Sequence, residues 1–530
     1  MIHYTRILLI TCFSLFISAC DSSTDQSGPA DSSSVDSQVD TSHLRRGLQA
    51  DPGTLDPHKS IMTDEWAVLR DVYMGLTYPG ADGRPGPGLA DSWAVSEDGY
   101  IYMFTLQPDA AWSNGVAVTA RHVVNGFHRL FDPKTASPSA PLLYVIENAR
   151  DVSSGRRPLA DLGVAALDEQ TIRISLERPT PNLPEMLAMP FAVPQPDGDT
   201  ETLFNGPFMI EEWIAGSVIR LVRNPYYRAA VEPQLEQISY VPLSDDEAAM
   251  RQFQSGQLDL HPWYPSNRRE WLDENYPGQA ASGPALGVSY LVFNAQQAPF
   301  NSAEVRRALA LAVDSSLLAD RVLSGAVDTA ARFVPGAVTG YRGPETDTRA
   351  QEERIAEARQ LMVQAGYTAD TPLRFDFRVR QTPDDRKVAI ALQAFWKSIY
   401  AEASLITTDL KTHFDDLESG RFAVADAGWA LFNAPESFLF LLSEADAAQL
   451  NYGRYQNPAF EAAFTAALEA TDLEARAALF AEAEALLLSD AAVAPLFHYQ
   501  ARAVVRRNVT GFVLNPGAIN PSVYLGKIAN

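Results

Sequence analysis

Beyond Ser42 no stretch of the chain reads as a linker: proline and glycine are spread evenly, and no repeat or low-complexity segment interrupts the remainder. A single hydrophobic core stops growing near roughly 250 to 300 residues, so a chain of 530 residues must build two or three lobes. Lobes that share strands across several crossings satisfy both conditions, because a chain passing back and forth between cores leaves no boundary in its composition. A hydrophobic fraction of 46% is that of an ordinary packed globule and can fill more than one core.

The only cysteines are Cys12 and Cys20, and both precede the folded region. The fold is therefore expected to have no disulfide, no metal site of the cysteine type and no thiol chemistry. Arg6 is followed by an apolar run from Ile7 to Ile17, broken only by Thr11, Cys12 and Ser14. That is the length of a signal-peptide core and falls short of the roughly 20 residues of a spanning helix. The run ends in Ile17-Ser18-Ala19-Cys20, which resembles the bacterial lipobox and implies diacylglycerol on Cys20 and a membrane anchor on the extracytoplasmic face; a plain signal peptide with an incidental cysteine is the alternative. Asp21 resembles an inner-membrane retention signal. From Asp21 to Ser42 the large apolar residues are Val35 and Val39 alone, too few to offset the entropy of ordering, so 1–20 reads as signal peptide and 21–43 as a flexible tether.

A net charge of −24 opposes nucleic acid and anionic membrane surfaces and excludes nucleic-acid binding. Strand and helix signals are mixed. Ile101 to Leu106 alternates as a strand; Thr119 caps a helix to Phe131, stopped by Asp132-Pro133. Ser244 with Glu247 and Asn301 with Glu304 form capping boxes, the first helix being closed by Gly256. Further amphipathic helices are expected over Glu352–Ala365, Arg386–Ala401 and Leu473–Leu488, the last opened by Thr471, with strands at Leu405–Thr408 and Val493–Phe497.

Catalytic constellations are missing from the sequence. None of the eight histidines lies in an HExxH arrangement, and His122 and His128, six apart, fall on different helix faces. There is no GxSxG, GxGxxG or Walker loop; Gly83-Arg84-Pro85-Gly86-Pro87-Gly88 reads as a surface turn. No metal, cofactor or catalytic residue is assigned. A secreted glycosidase remains the competing class, since 66 acidic residues guarantee chance carboxylate pairs.

Segments in register over nearly the whole folded chain carry a resemblance. They are Thr54-Leu55-Asp56-Pro57-His58-Lys59; Pro87-Gly88-Leu89-Ala90-Asp91-Ser92-Trp93; Trp112-Ser113-Asn114-Gly115; Asp132-Pro133-Lys134-Thr135-Ala136-Ser137-Pro138; Asn205-Gly206-Pro207-Phe208; Arg223-Asn224-Pro225-Tyr226-Tyr227; Ala298-Pro299-Phe300-Asn301; and Gly428-Trp429. Together they resemble the oligopeptide-binding family of extracellular solute-binding proteins, partners of ABC-type peptide importers. The resemblance implies an α/β, three-lobed periplasmic binding protein fold of class II type, with two lobes closing over a buried ligand. Domain I would comprise 44–73, 203–290 and 503–530, domain II 74–202 and domain III 291–502. It also implies a monomer that binds a peptide or peptide-sized ligand by β-augmentation and hands it to permease subunits. Family members carrying chelates, haem or saccharides leave the ligand itself open.

The same resemblance places the ligand against Gly428, Trp429, Tyr290, Asn433 and Arg386. Where peptide binders hold the ligand ammonium with an aspartate, this chain has Leu431 and one residue fewer. Gln297, Leu417 and Asp426 stand at positions of basic residues that receive carboxylates, and Arg386 alone keeps its charge there. Asp426 or Glu436 is then expected to supply a displaced anchor, unless Asp426 is paired internally by Arg386 or Arg421. Trp429 is expected either over the ligand or packed in the lobe interface.

Overall fold

The computed structural model describes residues 40–198, 202–443 and 450–529. Cys20, the signal segment and residues 21–39 of the expected tether lie outside them. The described chain is α/β, and its largest element is an eleven-stranded sheet. Across that sheet run Ala401–Thr408, Leu373–Arg380, Val424–Ala430, Ala280–Phe293, Val493–Val505, Leu260–His261, His43–Leu48, Gln237–Pro242, Val218–Arg223 and Phe208–Ile214, with Val327–Thr329 pairing Val493–Val505 off the path. Alternation makes these strands: LRFDFRVR over Leu373–Arg380 puts Leu373, Phe375, Phe377 and Val379 inside, and its arginines and Asp376 toward solvent or partners.

Two long strands, Ala280–Phe293 and Val493–Val505, join the halves of the sheet. Their antiparallel register slips between Pro284 and Val288, a bulge where the strands pass from one core to the next. One end feeds a core of Leu44, Phe208, Ile238 and Tyr240; the other feeds cores around Phe293, Phe377 and Trp396, and around Tyr290, Phe333 and Phe460. A separate four-stranded sheet, Ala90–Val95, Ile101–Leu106, Thr171–Ser175 and Val164–Ala166, packs with the Ala120–Phe131 helix over Phe104, Trp112 and Phe131. That last core draws on Met74 to Ala192 and admits two distant residues, Phe432 and Val523.

Thr119 does precede the Ala120–Phe131 helix, and His122 Nδ1 accepts from the Thr119 amide (3.1 Å) and from Trp112 Nε1 (3.3 Å). Three other caps sit one residue later than expected. Asp245, not Ser244, accepts from Ala248 N at 2.7 Å; Ser302, not Asn301, accepts from Val305 N at 3.4 Å; and Asp472, not Thr471, accepts from Ala475 N at 2.8 Å. The helix expected from Arg386 begins earlier, at Pro383 after a Thr382 cap, and ends at Lys397. His43, assigned to the tether, is the first residue of a strand opposite Gln237, with its Nε2 2.9 Å from Ser239 Oγ. Pro85–Pro87, read as surface turn, pairs as a strand with Thr77–Pro79.

Candidate functional site

The Val424–Ala430 strand carries the Gly-Trp pair and lies antiparallel to Ala280–Phe293, with Gly428 opposite Ser289 and Trp429 opposite Val288. Gly428 is a close-approach glycine: a Cβ there would collide with Tyr499 Oη and come within 3.1 Å of Arg380 Nη1. Tyr499 also lies against Gly287, so two glycines on adjacent strands let one tyrosine ring settle onto the backbone. The Trp429 indole is fixed from behind: Nε1 donates to Ser437 O at 2.7 Å, and the ring meets Phe440 edge-on at 5.6 Å. Trp429 itself remains half-buried.

Asp426, two residues before Gly428, is 4% exposed and is bound within the protein. Its carboxylate accepts from Arg380 Nε at 2.7 Å and from the Arg380 amide at 3.1 Å, and His413 Nε2 lies 3.5 Å away. Arg380 Nη2 also reaches Asp385 at 3.1 Å. Burial works against the Arg380 charge, but Tyr499, Asp426 and Asp385 together hold its pKa well above the ordinary value. Burial pushes the Asp385 carboxyl up; Arg380 opposes this and Asp426 adds to it. The polarity change at Asp426 is thus answered by an arginine on the neighbouring strand, and the wall carries a closed Asp–Arg–Asp network.

The partners expected for Asp426 are elsewhere. Arg386 is exposed on the first turn of the Pro383–Lys397 helix. Arg421 is bound to Asp416 at 2.8 Å, which also pairs Arg378 at 2.6 Å. Glu436, the other expected anchor, is held by Arg476 at 2.9 Å with the arginine side chain 7% exposed. Tyr290 is 3% exposed and stacks edge-on against Phe333 at 5.0 Å, a core residue rather than a wall residue. Leu417 is fully buried in the same core, and Gln297 is exposed in the turn after the Ala280–Phe293 strand, its amide donating to Asn294 O.

Leu431 and Phe432 turn toward the Met74–Ala192 core, where Phe432 is 6% exposed. Asn433 follows, its amide donating to Glu185 Oε1 at 2.7 Å and its side chain bonded to Thr339 N (2.8 Å) and Thr339 Oγ1 (3.2 Å). Burial, with Glu436 nearby, raises the Glu185 carboxyl, against the effect of the Asn433 amide. The site thus contains Arg380, Tyr499, Asp385 and Glu185, none expected from sequence. The one available signal for Arg380 was the aspartate at 426, which required a cation whose identity depends on strand register.

No group of three or more histidine, cysteine, aspartate or glutamate side chains able to hold a metal occurs among the described residues. No helix among them is long and apolar enough to cross a membrane.

The sequence profile of bacterial extracellular solute-binding proteins, family 5, middle region, matches residues 84–449. A probable deoxycholate-binding periplasmic protein of Escherichia coli, YgiS, is 33% identical over 91% of this chain and 92% of its own. The periplasmic oligopeptide-binding protein OppA of Salmonella typhimurium is also 33% identical, over 89% and 90%. Among solved structures, the Escherichia coli murein tripeptide-binding protein MppA superposes with a TM-score of 0.84 at 29% identity, covering 93% of this chain and all (100%) of that one. The match of profile, length and lobed α/β architecture together makes the chain a member of the family 5 bacterial extracellular solute-binding proteins.

Proposed function

We propose that the protein is the extracytoplasmic solute-binding component of an ABC importer, taking a peptide or peptide-sized solute between its lobes and delivering it unmodified to the permease. The observation that carries this reading is the pair of strands Ala280–Phe293 and Val493–Val505, which run through separate cores and bulge between them beside the Gly428–Trp429 wall. Strands that bridge two cores and slip register twice, between Pro284 and Val288 and between Ser289 and Tyr290, supply a hinge; a wall at that hinge is where closing lobes bury a ligand. The lobes would be 44–73 with 203–290 and 503–530, then 74–202, then 291–502. Lipid on Cys20 would hold a monomer at the membrane face, and replacing Cys20 with Ala should release it into the soluble fraction. Family members bind substrates for transport, and the relatives named for peptides support a peptide or a molecule of that size.

One observation favours a non-peptide or end-blocked solute: Asp426 and Glu436 are each bound by a guanidinium, so neither is free to take a ligand ammonium. The relative named for deoxycholate agrees with that second reading. Calorimetric titration with peptide and bile-salt libraries tests the function: saturable binding, with every ligand recovered intact, is expected. Turnover of a labelled saccharide by the pure protein would overturn it in favour of a glycosidase.

A further inference from the structure

Asp385 and Asp384 are neighbours at the start of the Pro383–Lys397 helix, and they face two ways. Asp385 closes the network beside Gly428, while Asp384 pairs with Lys387 at 2.7 Å and accepts from Ser266 Oγ at 3.4 Å. The wall therefore continues into the segment 263–266, and there it meets Arg502.

Arg502 lies on the Val493–Val505 strand opposite Ser282 and is 5% exposed. Its guanidinium sits 3.6 Å from the centre of the half-buried Trp263 ring. Its Nη1 donates to Tyr264 O at 3.1 Å, and its Nε is buried without a partner. Among the described residues no carboxylate stands within ion-pairing distance of it. The acids whose charge it feels are engaged elsewhere: Asp246 accepts from Trp263, and Asp384 holds Lys387 and Ser266. Burial drives the Arg502 pKa down to about 10, the sign of a cation whose surroundings do not repay its lost hydration. Arg380, Asp385, Asp426 and Glu436 each lie within about 4 Å of a side chain of opposite sign; Arg502 does not.

A planar guanidinium backed by an indole presents its remaining donors to a carboxylate better than to any neutral group. Of the acids near the Gly-Trp loop, Asp426 and Glu436 are already paired with guanidinium groups, and Glu185 takes the Asn433 amide on one oxygen while burial shifts its carboxyl toward the neutral form, which is a poor counterpart for an ammonium. We propose that Arg502 is the receptor for a carboxylate of the ligand, and that the solute is an organic carboxylate of peptide size with no cationic end. This rests on the transport reading above and narrows its substrate class.

Titration calorimetry with three probes tests the class: N-acetyl-trialanine, a carboxylate without an ammonium; deoxycholate, a carboxylate without a peptide; and trialanine amide, an ammonium without a carboxylate. One or both carboxylates should bind, telling a blocked peptide from an amphipathic acid, and Arg502→Gln should weaken that binding tenfold or more, with Arg502→Lys intermediate. Trialanine amide binding as well as the carboxylates, or unchanged carboxylate affinity in Arg502→Gln, would overturn the proposal. Melting of the ligand-free protein decides the receptor role whatever the probes do: Arg502→Gln should melt no lower than the parent, and a fall of several degrees, or failure to fold, would make Arg502 a structural residue and overturn it. Refusal of all three probes by a variant and parent that melt alike would contradict the transport reading instead.

Discussion

Asp426 shows what one residue can and cannot reveal. Its acidic character at a ligand wall is visible in the sequence, as are Gly428 and Trp429 beside it; its partner is not, because Arg380 comes from a strand 46 residues away whose register no local pattern dictates. A charge change at one position of a buried wall demands an answering charge, and Arg386 and Arg421 were nearer in sequence but point elsewhere. With both side chains buried, Asp426→Asn should cost the free protein about 3 kcal/mol in urea unfolding by leaving Arg380 with Asp385 alone. An unchanged unfolding midpoint would mean that the network contributes nothing. Two histidines make a second residue-scale prediction. Burial depresses His58 to about 3, with Arg129 adding to the effect, and His261 to about 4. Both lie below the ordinary 6.5 of the unfolded chain, so the unfolded state gains protons first and stability falls as pH drops from 6.5 toward 4. His261→Leu should flatten that slope, retaining on the order of 3 kcal/mol at pH 4 relative to the parent's loss; parallel pH profiles would refute it.

Helices and strands were legible wherever a period or a stop signal was unambiguous, as at Ile101–Leu106 and Ala120–Phe131. The caps were legible only to within one residue. In each pair, Ser244 and Asp245, Asn301 and Ser302, Thr471 and Asp472, two adjacent side chains can accept from the first turn, and the second of them takes the extended cap position. Choosing between them depends on the angle at which the chain enters the helix, which the preceding loop sets and composition does not encode. Asp472→Ala should therefore cost about 1 kcal/mol in chemical denaturation while Thr471→Ala costs little; the reverse order would restore the sequence assignment. Long strands were the harder case. Val493–Phe497 was visible as an apolar run, but the strand continues to Val505 through His498, Gln500 and Arg502, whose polar side chains break the apolar pattern and hide it.

The absence of a linker is what suggested interleaved lobes in the sequence, and the structure shows one contact that ties distant segments together. Phe432, from the loop after Gly-Trp, is buried in the Met74–Ala192 core, and Glu185 of that core accepts from the Asn433 amide. This seam holds separate cores together in the described conformation, and a two-state closure is biased by any contact present in one state alone. Removing a buried phenylalanine costs about 3 kcal/mol, so Phe432→Ala should open the ligand-free protein, seen as a larger radius of gyration in solution scattering; an unchanged radius would show that the seam does not govern closure. Native mass spectrometry of protein purified from its own host, without refolding, bears most directly on the claim that the molecule carries a small solute between its lobes. The expected spectrum shows one bound species of peptide size that is released intact on unfolding and whose occupancy falls in Arg502→Gln. A spectrum showing only unliganded protein, or only hydrolysed fragments of an added saccharide, would contradict the account.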